Sequence, residues 1–524
     1  KVLMLESNDI AARIKGNYQL SSLPYSVKYY ISGYLPNYIE APTKYAPDQN
    51  ITFAVTTRQT DSILAVLAPS IKGFSNSTLS GVLNMTQQQL LLDARIPYGK
   101  VQNITLQNVN ITGNGNFRQL NLNADVADIT LGDDVLSASM KVNTTLGNDS
   151  LSFDISTTSP DAVGNLSMQG NAVASGDSLY LSLLPSEFYL NKTKWEIPQG
   201  NEMVISKDYL YIRNLSLKSG LQEINARTED EHNSQALLVD IKELDIAMLG
   251  NLAGIGDYQP EGRINGQVAM KNLFKGMEIA GVVKASNVKL ANDTVGDVTL
   301  SGGYNAKKKI ITLDPTSGIF RGVASIRTAG SMSFDSTNNQ LLNGYLEFNE
   351  APLSWVSPFV QDFLSQMSGS LNGTINIGGS AAKPDVSGNL TLNNAATKID
   401  IIGTYYKIPS ARLVVDNNSI DFGNVTIYDV HNNTATLTGG LAHDRFRNMS
   451  FSRVRITSPE FEVLNLKEHE NNSFYGNLVA NVESMTISGT FDDIRMSITA
   501  APAARSHIFI PIKTTSDIGS YSYV

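Results

Sequence analysis

The sequence predicts an all-β protein, elongated rather than globular, and three observations carry that prediction. Apolar residues alternate with polar ones along most of the chain, the period of a strand with one dry and one wet face. A frame of glycines and aliphatic residues recurs at a long fixed interval, as it does in arrays whose units pack mainly on their neighbours. Only 17% of the residues are charged, against about 25% in ordinary soluble domains. Asn, Ser, Thr and Gly fill the polar positions instead, as on strand-rich surfaces.

Taken in order, residues 1–57 predict a lead-in with a short helix at Pro24–Ile31 and a Pro/Tyr-rich linker from Tyr34 to Pro47. A first trough segment is expected over 58–190. It opens with a helix candidate (DSILAVLAPSIKGF from Asp61) and continues through runs such as Val101, Ile104 and Leu106, or Leu120, Leu122 and Ala124. Gly113-Asn114-Gly115 and Gly147-Asn148-Asp149 punctuate these runs as turns. A second segment spans 191–352, where Trp195, Ile197, the Gly200-Asn201 turn, Leu210, Ile212, Leu215 and Leu217 sketch strands. The remaining segments are 353–458 and 459–524, the latter opening on Glu460–Leu466 (EFEVLNL).

The repeat is clearest between Glu261–Leu290 and the stretch from Met367 to Lys398: Gly262, Gly266 and Gly281 recur as Gly369, Gly373 and Gly388, each 107 residues later. In the second copy Leu371, Gly373, Ile375 and Ile377, then Val386, Gly388, Leu390 and Leu392, form two alternating runs divided by a Gly-Gly/Lys-Pro-Asp turn. Short amphipathic helices are expected before each copy, at Leu244–Leu252 and Leu353–Met367.

Composition excludes several classes of function. The chain contains no cysteine, so disulfides and thiolate metal sites are impossible. A net charge of −9 without a Lys/Arg-rich run argues against nucleic acid and against electrostatic docking to anionic lipid. The longest apolar stretches, such as Ser62–Ile71, fall far short of the roughly 20 residues that cross a bilayer. Because the chain opens at Lys1 and stops in a strand-like SYSYV, it is expected to be the middle of a longer protein. Asn-x-Ser/Thr sequons recur, for example at Asn103, Asn214 and Asn389, but strands whose wet faces use those residues generate them by chance.

Candidates for chemistry are weak. The histidines at 232, 431, 443, 469 and 507 are scattered and read as surface residues, and no metal, cofactor or catalytic residue is expected. Gly113-x-Gly115 lacks the third glycine of a dinucleotide fingerprint. Asp125, Asp128, Asp133 and Asp134 fit no calcium loop, and Lys307-Lys308-Lys309 reads as a hairpin charge run. An enzyme built on a β-helix would need a charged cluster on one wet face, and none can be assembled.

The energetic question is what covers the apolar faces, since each exposed Leu, Ile or Val forgoes roughly 1.5–3 kcal/mol. An ordinary packed β core answers it. So does a sheet curved into a trough whose interior is completed by acyl chains: with only two tryptophans in the chain, and with Gly or Ala often at inward positions, room is left inside. Periodicity alone leaves both open.

The order of motifs resembles the TamB family of Gram-negative envelope proteins, within the AsmA-like group, in the flavour found in Bacteroidota. The resemblance rests on Gly369-x3-Gly373 with Ile375, Ile377 and Gly378, then Lys383-Pro384-Asp385-Val386-x-Gly388 with Leu390, Leu392 and Asn394-Ala395. Trp195-x-Ile197-Pro198, Phe474-Tyr475-Gly476, Ile487-x-Gly489 and Ile508-Phe509-Ile510-Pro511 extend it over most of residues 60–520. The resemblance implies a long open β trough, the "β-taco", crossing the periplasm and conducting phospholipid between inner and outer membranes to support outer-membrane biogenesis. It also implies a TamA-like outer-membrane barrel of the Omp85 class as partner. The family's amino-terminal inner-membrane anchor and carboxy-terminal domain have no counterpart here. With strands stacked about 4.8 Å apart the chain would extend about 100 Å.

The cleanest alternation marks the groove candidates as Leu210, Ile212, Leu215, Leu217, Leu371, Ile375, Ile377, Val386, Leu390, Leu392, Leu413, Val415, Val425 and Ile427. On this reading, Ile375→Asp or Leu390→Asp abolishes transport without unfolding the chain. The competing reading is a structural or adhesive β-solenoid stalk, which differs in having a packed interior.

Overall fold

The computed structural model describes residues 1–511 apart from 45–46, 62–63, 66–69, 102–103, 132–133, 138, 159–162, 191–192, 230–235, 251–258, 291–292, 335–339, 360–363, 446, 472, 492 and 505. It is nearly all strand, in antiparallel ladders that stay open rather than closing into a barrel. The chain divides into two compact units: Lys1–Leu244 with Ala269–Lys275, and Asp245–Val268 with Gly276–Val524.

In the first unit the ladder runs from Val2–Glu6 through Ile10–Asn17, Asn50–Thr57 and Thr78–Asn84, and on by hairpins to Val163–Ser175. There it forks, because Ser178–Leu183 pairs with one part of that last strand and Ser186–Leu190 with the other. The expected short helix is longer than the sequence suggested: α1 spans Leu23–Tyr34, with Pro24 in its first turn, and buries Ser26, Tyr30 and Tyr34 on one stripe. The expected linker after it is a strap. Successive hairpin turns are tied to α1 and this strap: Tyr30 Oη donates to the Asn84 carbonyl at 3.1 Å and Tyr34 Oη to that of Asn116 at 2.7 Å. The Asp149 amide then donates to the Tyr34 carbonyl at 2.8 Å, and the Asn37 amide to the Asp149 carboxylate. A tyrosine ladder spaced four apart was the signal in the sequence, since four residues return to the same helix face.

In the second unit one antiparallel meander runs from Glu278–Leu290 to Arg495–Pro502 and His507–Phe509, both of which pair with Tyr475–Thr490. The repeat is physical. A Cβ on Gly266 would lie 2.6 Å from the Val282 carbonyl oxygen, and one on Gly373 2.2 Å from that of Asn389. Gly281 and Gly388 stand likewise against the oxygens of Gln267 and Thr374, at 2.8 and 2.2 Å. The partners, like the glycines, are 107 residues apart, so glycine recurs because two backbones touch there.

Several details differ from expectation. Gly113-Asn114-Gly115, expected as a turn, pair within the strand Ile104–Gly115, and the turn follows at 116–119, where the Asn116 amide donates to the Gln119 carbonyl. The residues of the Gly-Gly/Lys-Pro-Asp motif pair within the strands Leu364–Ser380 and Lys383–Ile399, and the turn itself is Ala381-Ala382. Of the helix expected over Leu353–Met367, Leu353–Phe359 form a 3-10 stretch, 360–363 lie outside the described residues, and Met367 already lies in a strand. Ile246–Gly250 is helical as expected, while 251–252 lie outside the described residues, as does much of the helix candidate from Asp61.

Bulges bend these strands. Register shifts fall between Phe348 and Ala351, Ser365 and Ser368, Asp421 and Gly423, Thr438 and Gly440, and Phe451 and Val454. Left-handed residues sit beside them, among them Glu350 (φ 47°) and Arg453 (φ 52°). A bulge adds a residue on one strand and increases its bend and twist, which curves the sheet.

Candidate functional site

Cross-strand pairing turns alternation into rows. In the second unit one row passes through Ala285, Val298, Ile319, Ile326, Phe348, Gly373, Leu390 and Leu413. Beside it run Thr328, Leu346, Ile375, Gly388, Val415, Ile420, Leu441 and Phe451. Side chains two apart share a face, so both rows line the same side of the sheet.

Two hollows open on this side. Where Gly330 and Gly344 pair, between Leu313 and Ile377, the missing side chains leave a shallow apolar depression of about 210 Å³. Farther along lies a deeper cavity of about 330 Å³, within the ~300–1,000 Å³ of ordinary ligand sites. Leu392, Ile399, Ile408, Phe422, Ile427 and Phe491 are among its walls, and the hydroxyls in the lining are those of Thr397 and of Tyr406, the latter bonded to the Glu462 carbonyl. The ladder parts beside it: Thr404–Val415 and Ser419–Tyr428 pair at Lys407↔Tyr428 and again at Val414↔Asp421 and Val415↔Ile420. Between those points Ile408, Phe422 and Ile427 turn to the cavity. A wall so largely apolar offers a ligand chiefly dispersion and water exclusion, which suits hydrocarbon.

Beyond the cavity the interior is solid. Phe461, Val463, Ala480 and Met485 are wholly buried, and Tyr406 stands between cavity and core with its ring 4.9 Å from that of Phe461. Burial pushes the Tyr406 phenol above its ordinary range, and its Oη donates to the Glu462 carbonyl at 3.0 Å. Glu462 is itself buried: Oε1 accepts from Asn477 at 2.7 Å and Asn465 at 3.2 Å, with His431 Nε2 at 3.7 Å. Burial holds this carboxyl above the usual carboxylate range. Asp429, also buried, accepts from the amides of His431, Asn433 and Glu462.

The groove candidates divide by place. Ile375, Val386, Leu390, Leu413 and Val415 form one buried cluster, with Leu371, Ile377 and Leu392 packed against it. Val425 and Ile427 belong to the larger core with Phe461 and Met485. Leu210, Ile212, Leu215 and Leu217 lie in the first unit, where Ile212 is buried and Leu210 pairs with the exposed Ile205. Of all these, Leu392 and Ile427 reach the deep cavity and Ile377 the shallow one. The interior is therefore hollow in places and packed in others, not open throughout. Sequence reading missed Tyr406, Phe491, Ile494 and Met496; Phe491 and Ile494 lie in the turn between Tyr475–Thr490 and Arg495–Pro502 and Met496 on the second of these strands, and only the fold brings them to the cavity that Leu392 lines.

His443 is a correction, since it is 6% exposed rather than on the surface, and burial lowers its pKa. His431, His469 and His507 are exposed, while His232, Asp133 and Asn103 lie outside the described residues. Among the described residues no group of three or more His, Asp or Glu can hold a metal, and no helix is long and apolar enough to cross a membrane. No protein-family model, curated protein or solved structure matches the chain.

Proposed function

We propose that this chain is a lipid-carrying segment of a bridge between membranes, holding phospholipid acyl chains on the apolar side of its curved sheet. The observation that carries the reading is the cavity of about 330 Å³ walled by hydrocarbon and set among apolar cross-strand rows. Acyl chains would lie against these rows while headgroups stay in water, so no step strips a charged group of its solvent. The proposal extends, through the TamB-like motifs, to a periplasmic setting and an outer-membrane barrel partner.

The packed core around Phe461, Val463, Ala480 and Met485 favours a second reading, a structural stalk. Native mass spectrometry of the purified chain, with lipid extraction, separates the two. Co-purifying phospholipid, displaced by added long-chain lipid, supports the carrier. A chain that is lipid-free and takes up no added lipid is a stalk.

A further inference from the structure

We propose that the deep cavity is a blind pocket that receives the end of one straight alkyl chain, and that Tyr406 sets the longest chain it accepts. This rests on the lipid-carrying reading and adds a limit that a through-conduit would not have.

Three observations place the stop. Tyr406 belongs both to the cavity wall and to the buried core, as do Ile427, Val454, Ile456 and Ile487, and of these side chains that mark the boundary between empty and filled space its ring is the largest. Behind it Phe461, Val463, Ala480 and Met485 leave no surface exposed. The ring is also pinned: its Oη bonds the Glu462 carbonyl at 3.0 Å, and the amide of the same residue bonds Asp429 Oδ2 at 3.0 Å. A side chain held at its tip and packed along its face does not swing aside at low cost. Elsewhere in the wall, Leu392, Ile399 and Phe422 offer an entering chain nothing polar to compete for.

The test uses the full chain and a series of straight-chain carboxylates from octanoate to octadecanoate, measured by displacement of a fluorescent fatty acid. Each added methylene buried in the pocket should tighten binding about fourfold. Once the chain end reaches Tyr406, further methylenes stay in water and the gain stops. Ile408→Trp, which fills the cavity from a partly buried wall position, should move that plateau to shorter chains. Tyr406→Ala should move it to longer ones, and Tyr406→Phe, which keeps the ring, should leave it in place. Should Tyr406→Ala fail to fold, Ile408→Trp decides. Affinity that keeps rising with length, or a plateau unmoved in a folded Ile408→Trp chain, overturns the blind pocket and leaves the lipid-carrying reading standing. No binding at any length overturns both.

Discussion

Leu392→Asp is the substitution that most directly tests an apolar lining. Leu392 sits between Leu371 and Ala411 in its cross-strand row, is partly exposed, and borders the cavity. Because its side chain already faces open space, its loss should cost the fold less than the about 2–5 kcal/mol of truncating a fully buried leucine. Binding should suffer far more. An acyl chain lying against a carboxylate must strip its water, and the penalty for an ion taken out of water is several kcal/mol. Taking about 4 kcal/mol, affinity falls roughly a thousandfold. The assay is fatty-acid displacement at neutral pH, with urea unfolding of the same sample and Leu392→Met as the apolar control. A folded Leu392→Asp chain that binds within about threefold of wild type, a difference under 1 kcal/mol, would refute the lining. Ile375→Asp and Leu390→Asp do not serve, because those side chains are 5% and 7% exposed in a packed cluster. A charge there would undermine the fold itself, and lost binding would report unfolding.

Three further outcomes are expected. Burial raises the Glu462 pKa, so the native state keeps a proton that the unfolded chain sheds near pH 4.3, the ordinary value. Stability from this site is full below that pH, falls as pH rises toward the native pKa, and stays reduced above it; in Glu462→Gln the slope should vanish from urea midpoints taken across pH, and an unchanged slope would exclude Glu462 as its source. Gly388→Ala would set a Cβ 2.2 Å from the Thr374 oxygen and 2.8 Å from the Ile375 Cα. It should cost about 1–3 kcal/mol, as should Gly281→Ala at the equivalent place in the other repeat, and unfolding midpoints equal to wild type would mean the strands part freely. Tyr34→Phe removes the 2.7 Å bond to the Asn116 carbonyl and should cost about 1 kcal/mol, read as a lower unfolding midpoint for the first unit; no change would mean the strap is held by apolar packing alone.

The β class, the alternating faces and the 107-residue repeat were legible in the sequence because each depends on local geometry. Successive side chains in a strand point to opposite faces wherever the strand lies, and a glycine forced by close backbones recurs with the backbones. What fills the space in front of an apolar face is not local. Val425 and Leu392 alternate equally cleanly, yet one is packed under Phe461 and Met485 and the other borders a cavity. The difference is made by residues far along the chain that bulged strands carry over one face and not the other. The same holds for Tyr38 and Asn37, which read as linker until the hairpin turns they bind are brought beneath them. Periodicity decided which side chains face inward, and only the tertiary structure decided where that inward side is empty enough to receive a ligand.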